Sequence, residues 1–266
     1  MKPANSSHFQ PSSHLAGQNV LVTRAADQSA NLVRRIEAVG GRAVVQPVIE
    51  ILPAADLEGL DTSIGRLEQF GLLVFTSRNG VRFFKDRMDS IKSRLPENLE
   101  IAAIGSSTAE LAGELWEIEP AVPPSSHSPS LADFLIDKYR DRKMLLVRGD
   151  RGSDVLDQRL AQQGIEFESV VAYRSVDVTE AQTAVVELLS AGQIDWVTAT
   201  SSAIGQSAVR LFGEWLARDS SSEEKRRAKL VSISPTTSAA IDSVGGQVSA
   251  EATEYNLDGL VAAMRL

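Results

Sequence analysis

Hydroxyl side chains gather at four places along this chain: Thr76-Ser77, Gly105-Ser106-Ser107-Thr108, Thr200-Ser201-Ser202 and Ser234-Pro235-Thr236-Thr237. Each segment follows a short apolar run and precedes a helical pattern. The start of a helix exposes backbone N–H groups without intrahelical acceptors, together with the positive end of the helix dipole. That setting suits carboxylates or phosphates. A single hydroxyl there is ordinarily an N-cap worth about 1 kcal/mol. Capping needs one hydroxyl per helix, and each of these loops carries two or more. Their repetition points to a ligand with several anionic groups.

Other chemistry is missing. His8, His14 and His127 fall in loops or the N-terminal tail without metal-ligand spacing. There is no cysteine, no Ser-His-Asp arrangement, and no GxGxxG or GxxxxGK[ST]. Arg148-Gly149-Asp150-Arg151-Gly152 is glycine-rich but lacks the Lys-Ser/Thr pair of a phosphate loop. An enzyme of this kind works on a reactive substrate by positioning it and stabilising charge. Tyr173, one of three tyrosines, ends an apolar run just before Arg174-Ser175. Two readings stay open for it: a packed ring with a wet hydroxyl, or a hydrogen-bond donor into a binding cleft.

The elements that position these loops occur twice. Thr23-Arg24 is echoed by Val147-Arg148, Thr76-Ser77 by Thr200-Ser201, and Thr108-Ala109 by Thr237-Ser238. The first two pairs are both 124 residues apart (24 to 148, 76 to 200) and the third 129 apart (108 to 237). That period is too long for a solenoid. It predicts two similar α/β units with a cleft between them, lined by the same loops from both sides. Apolar runs at 19–23, 42–47, 72–75, 99–104, 144–147, 166–173, 196–199 and 230–233 read as strands. Helical patterns follow most of them, and Gly40-Gly41, Gly164 and Gly245-Gly246 read as helix stops. Strands alternating with helices through short loops predict parallel sheets. The Pro- and Ser-rich stretch from Pro120 to Ser130 reads as a loop.

The 266 residues carry a net charge of −8. With mean hydropathy of −0.08 and no long apolar run, neither a membrane span nor a nucleic-acid face is expected. Lys225-Arg226-Arg227 follows Glu223-Glu224 and reads as a solvated stretch. Residues 1–16 lack the apolar centre of a secretion signal and read as a disordered tail. A cytoplasmic monomer acting on a small molecule is the expectation. An anionic ligand then has to be held by local donors, against the bulk charge.

The segments Val20 to Arg24, Gly40 to Pro47, Leu73 to Asn79, Ala103-Ile104-Gly105 with Thr108-Ala109, Leu146 to Gly152, Gly164 to Tyr173, Thr200 to Ser202 and Pro235 to Thr237 follow a familiar order and spacing. In these the chain resembles the uroporphyrinogen-III synthase family over nearly its full length after the tail. The resemblance implies an α/β fold of two similar lobes, each a parallel sheet flanked by helices, joined by a two-stranded hinge. One lobe would be discontinuous, 17–52 plus 178–266, and the other 55–172, with the hinge near 51–54 and 173–177. It implies cyclisation of hydroxymethylbilane, a linear tetrapyrrole with eight carboxylates, with inversion of the terminal pyrrole and loss of water, and no metal or organic cofactor. The substrate-binding set it implies is Thr23, Arg24, Ser201, Ser202, Thr236 and Thr237 in one lobe. In the other it is Thr76, Ser77, Gly105, Thr108, Arg148 and Gly149. Tyr173 matches the tyrosine that assists departure of the hydroxyl. Ser234 stands where the family usually has Gly, and Ala199 where it usually has Phe, so those turns are expected to be aimed differently. The competing reading is a non-catalytic bilobed sensor that binds a tetrapyrrole or other polyanion without turnover.

Overall fold

A computed structural model of the chain describes residues 13–217 and 227–265. His8 and residues 218–226, Lys225-Arg226 among them, lie outside them. The elements in chain order are β1 (Asn19–Val22), α1 (Ala26–Ala38), β2 (Arg42–Val45), β3 (Ile49–Pro53), α2 (Leu57–Ile64), β4 (Leu72–Phe75), α3 (Arg78–Ser90), β5 (Glu100–Ala103), α4 (Ser106–Trp116) and α5 (Ser128–Tyr139). They continue with β6 (Met144–Gly149), α6 (Val155–Gln162), β7 (Phe167–Asp177), α7 (Thr183–Ser190), β8 (Trp196–Ala199), α8 (Ser202–Phe212), β9 (Lys229–Ser232), α9 (Pro235–Asp242), β10 (Ala250–Glu251) and α10 (Leu257–Ala263).

The described residues fall into two compact units, one running up to Glu50 and resuming at Asp177, the other Ile51–Val176. The chain passes between them within β3 and within β7, which are neighbours in the second unit's sheet. The first unit holds a sheet in the order β10-β9-β8-β1-β2, parallel throughout. The second is ordered β3-β7-β6-β4-β5, with β7, β6, β4 and β5 mutually parallel.

These two orders are one pattern. β1-α1-β2 in the first unit corresponds to β6-α6-β7 in the second, and β8-α8-β9 to β4-α3-β5. In each unit the order reverses between two central strands, β1 and β8 in one, β6 and β4 in the other. Loops leaving the carboxyl ends of those strands diverge and open a crevice, the usual ligand position in an open α/β sheet. The 124-residue echoes fall on these same loops.

Burial on both faces explains the apolar runs. In β4, Leu72 and Val74 face a cluster with Leu131, Leu135 and Leu156, whereas Leu73 and Phe75 face one with Leu60, Phe84 and Val170. In β6, Met144 and Leu146 join the first cluster and Leu145 and Val147 the second. In the first unit Val20 and Val22 pack with Leu32, Ile36, Trp196 and Val231. Gly40 (φ +85°) and Gly164 (φ +68°) end α1 and α6 in the left-handed conformation that favours glycine.

Two expectations need correction. The tail assigned to 1–16 is anchored by its end: Leu15 is fully buried, and its N–H donates to Val39 O at 3.1 Å. Gly41 makes room for it, since a Cβ there would lie 3.1 Å from Leu15 Cβ. The expected loop to Ser130 already turns helical at Ser128. There His127 Nδ1 accepts from Ser130 N–H at 3.2 Å, and Pro129 sits in the first turn, where its missing N–H costs nothing.

Candidate functional site

Four helices, α3, α4, α8 and α9, begin in one way. Their N-cap residues Ser77, Gly105, Ser201 and Ser234 have φ between −165° and −174° and ψ between 158° and 171°. Ser77, Ser201 and Ser234 each accept from the N–H three residues on: Gly80 at 3.0 Å, Ile204 at 3.3 Å and Thr237 at 3.3 Å. Ser234, expected to aim its turn differently for want of glycine, adopts the geometry of the other caps. Its φ of −165° is extended backbone open to any residue.

With the third N–H of each helix satisfied, the donors without an intrahelical acceptor are those of the first two positions. These are Arg78 and Asn79, Ser106 and Ser107, Ser202 and Ala203, and Thr236 alone on α9, because Pro235 has no N–H. Thr108 and Thr237 are only 5% and 2% exposed. Thr108 N–H donates to Gly105 O at 3.1 Å, and Thr237 Oγ1 lies 3.2 Å from Ser234 Oγ. Both threonines take part in the turn that starts their helix.

Thr23 and Arg148 have partners within their own units. Thr23 is fully buried, and its hydroxyl donates to the Thr198 carbonyl, tying β1 to β8 at the switch point. Arg148 is braced on its own loop and helix. Its guanidinium bonds Asp154 at 3.0 Å, Asp157 at 2.9 Å and the Gly152 carbonyl. Asp157 also accepts from Ser169 at 3.0 Å. Arg24 Nη2 donates to Gln28 Oε1 at 3.3 Å. Ser202 Oγ reaches the Thr236 carbonyl at 3.3 Å, joining α8 to α9. Thr76 Oγ1 donates to Val147 O at 3.2 Å, and Gly105 is buried under Ser126.

The second unit carries one feature that its counterpart lacks. Tyr173 OH accepts a hydrogen bond from Ser77 Oγ at 3.0 Å. Its ring stacks on Phe83 at 6.0 Å and lies over Gly149, where a Cβ would approach Tyr173 Cζ to 2.6 Å. A register shift between Arg148 and Gly149 brings Gly149 opposite Tyr173. Burial pushes the phenol above its ordinary 10.0, the Ser77 bond lowers it, and the Asp150 charge raises it. Tyr173, Gly149, Arg148 and Thr76 line a cavity of about 130 Å³. Among the described residues no three His, Asp or Glu side chains are grouped to hold a metal.

Residues 30–262 match the protein-family model described as "Uroporphyrinogen-III synthase HemD". The chain belongs to the uroporphyrinogen-III synthase family. It is 30% identical to a putative uroporphyrinogen-III synthase of Methanothermobacter thermautotrophicus, over 91% of this chain and 96% of that protein. It is 28% identical to the uroporphyrinogen-III synthase of Synechococcus elongatus, over 94% and 95%. Among solved structures, a mutant uroporphyrinogen III synthase from Thermus thermophilus has the same fold, with a TM-score of 0.61 at 17% identity, covering 92% of this chain and 96% of that one. The uroporphyrinogen-III synthetase of Helicobacter pylori gives 0.60 at 15%, covering 92% and 97%.

Within this family fold, sequence reasoning placed Ser77, Gly149 and Tyr173 but not their mutual contact. It missed Phe83 and the role of Asp150. Nothing in the spacing signals that Gly149 and Tyr173 are paired across β6 and β7, because the register shift is set by the third dimension.

Proposed function

We infer that the chain closes hydroxymethylbilane to uroporphyrinogen III, inverting the terminal pyrrole ring and releasing water. The observation that carries this reading, beside family membership, is the Ser77–Tyr173 pair at the switch point of a doubly wound sheet, next to a helix start that offers N–H donors. First-turn amides such as those of α3 and α4 suit the substrate's carboxylate arms. Hydrogen bonds to a charged group contribute roughly 1.5–3 kcal/mol each. A few of them outweigh the screened repulsion from a chain of net charge −8.

Tyr173 assists departure of the hydroxyl as a general acid, with its phenol kept protonated by burial. The chain then favours one closure geometry by holding the arms. It acts as a cytoplasmic monomer on this small molecule, and its acidic balance argues against nucleic acid. No helix among the described residues is long and apolar enough to cross a membrane.

Isomer analysis tests the reaction. Purified protein given freshly generated hydroxymethylbilane yields the type III product. Type I product alone, at the rate seen without protein, rejects it.

A further inference from the structure

Ser77 and Ser201 occupy matching places in the two copies and cap matching helices. Of the two, Ser77 alone bonds a second partner among the described residues. Its oxygen accepts the Gly80 N–H at 3.0 Å, and its one hydrogen is directed at the Tyr173 oxygen, also at 3.0 Å. The main chain of Tyr173 is held from the other side. Asp150 N–H donates to the Tyr173 carbonyl at 3.1 Å, and Asp150 Oδ1 accepts from Ser175 N–H at 2.9 Å. Phe83 and the bare Cα of Gly149 fix the ring.

We propose that Ser77 is a positioning residue for proton transfer: by donating to the phenol oxygen it turns the phenol's own hydrogen outward, available to the substrate's leaving hydroxyl, while Asp150 holds the tyrosine's main chain in place. This rests on the reaction assigned above. In the step, the carbon–oxygen bond breaks and its electron pair leaves with the oxygen. That oxygen takes the Tyr173 proton and departs as water, leaving a phenolate and a cation delocalised over the pyrrole. Inversion then breaks the bond that joined the terminal pyrrole to its neighbour and forms two new carbon–carbon bonds, the last at the ring carbon that carried hydrogen; that carbon loses its proton, which returns to the phenolate. Only water is lost overall. The Ser77 hydrogen bond stabilises the transient phenolate.

The charged groups around the ring are few. Asp150 comes from the β6–α6 loop. Arg148 and Asp157 share the small cavity and pair with each other at 2.9 Å. Arg82 of α3 lies over Phe83, 5.5 Å from the ring centre, and Arg174 is adjacent in the chain. A hydrogen bond to the charged form lowers a pKa, and a nearby negative charge raises that of a phenol. The two partners of Tyr173 therefore act in opposite directions.

The test reads the phenol directly. Protein carrying 3-fluorotyrosine, which ionises at lower pH than tyrosine, is titrated by ¹⁹F NMR, with Tyr173→Phe assigning the resonance. Ser77→Gly removes the hydroxyl at a capping cost of only a few tenths of a kcal/mol. It is expected to move the Tyr173 midpoint to higher pH. Asp150→Asn keeps an acceptor for Ser175 and moves the midpoint lower. Ser201→Gly leaves it unmoved. In unlabelled protein, Ser77→Gly lowers kcat roughly five- to tenfold, less than the hundredfold or more that loss of the general acid itself costs. KM changes by less than about twofold, as for an interaction made mainly in the transition state. Ser77→Thr restores both readings. An unchanged midpoint in Ser77→Gly, an equal shift in Ser201→Gly, or unchanged kcat overturns the proposal. Failure of the wild type to give the type III isomer instead overturns the assigned reaction.

Discussion

The two units are built to one plan and differ in what stands over their strand ends. In the first, Thr23 locks β1 to β8 and the helix starts of α8 and α9 carry only hydroxyls and amides. In the second, the matching loop is held by Arg148 with Asp154 and Asp157, and an aromatic pair covers it. Position 149 is Gly where the first copy has Ala25, 124 residues earlier. Only the second unit therefore leaves room for a phenol over the loop. The capping geometry is shared by both copies. Proton chemistry, on the assigned reaction, belongs to one. Duplication repeats the capped helix starts, and the second copy has Gly149 and Tyr173 where the first has Ala25 and Ile49.

That comparison breaks most sharply at the glycine. Gly149→Ala places a methyl 2.6 Å from Tyr173 Cζ and 2.8 Å from its hydroxyl oxygen. Overpacking of this kind costs about 1–3 kcal/mol. The ring has to swing off Ser77, so turnover is expected to fall about a hundredfold, near the low end of a lost general acid. Ala25→Gly, the reciprocal change at the cap of α1, leaves turnover near wild type. Steady-state kinetics with thermal melts check the pair. Full activity in Gly149→Ala separates Tyr173 from the chemistry.

How much of this was legible in the sequence follows from the same contrast. The four caps are local: a hydroxyl answers an N–H three residues away, so Ser77, Ser201 and Ser234 can be found from spacing alone. The strand runs are also local, because burial on both faces removes every polar residue from LLVF and MLLV. Burial is what spacing does not show. Thr108 and Thr237 look like exposed donors in a Ser/Thr-rich loop, yet one turn of helix rotates them inward. Thr23 and Arg148 look like ligand contacts, yet their partners, Thr198, Asp154 and Asp157, become partners only once strands and helices are packed. Leu15 sits in a polar tail, and only the space left by Gly41 shows why it is ordered.

Arg148 sharpens the comparison at the next level. As a brace it holds the loop that carries Gly149 and Asp150, and so acts on Tyr173 from behind. A lysine keeps the charge but loses the fork that spans two carboxylates and a carbonyl. Arg148→Lys is expected to lower kcat roughly tenfold and leave KM within about twofold, the pattern of a group acting on the transition state alone. A raised KM with unchanged kcat would return Arg148 to substrate binding.

A smaller effect lies in the first unit, where α9 has one fewer donor than α8. Pro235→Ser restores the missing first-turn N–H without disturbing the Ser234 cap. If the arms of the substrate bind there, KM falls by roughly three- to tenfold, somewhat less than a hydrogen bond to a charged group contributes at full strength. Unchanged KM assigns α9 a structural role.

The smallest effect is on stability in alkali, and its sign is fixed by burial. The Tyr173 phenol is raised above 10.0 in the folded chain, by burial first and by Asp150 after the opposing Ser77 bond. Tyr139, in the same unit, is raised by burial and then by Glu100. The unfolded phenols lose their protons first as pH rises. Their contribution is therefore complete below pH 10 and is lost as pH climbs toward the folded values. Tyr173→Phe removes one titrating group, so its denaturant midpoint is expected to decline less steeply above pH 10 than that of wild type, whatever its offset at neutral pH. Asp150→Asn lowers the folded pKa of Tyr173 and flattens the decline in part. An identical slope in all three proteins means that the phenol ionises in the folded chain as it does in the unfolded one. The packing of Phe83 and Gly149 around it would then not exclude water.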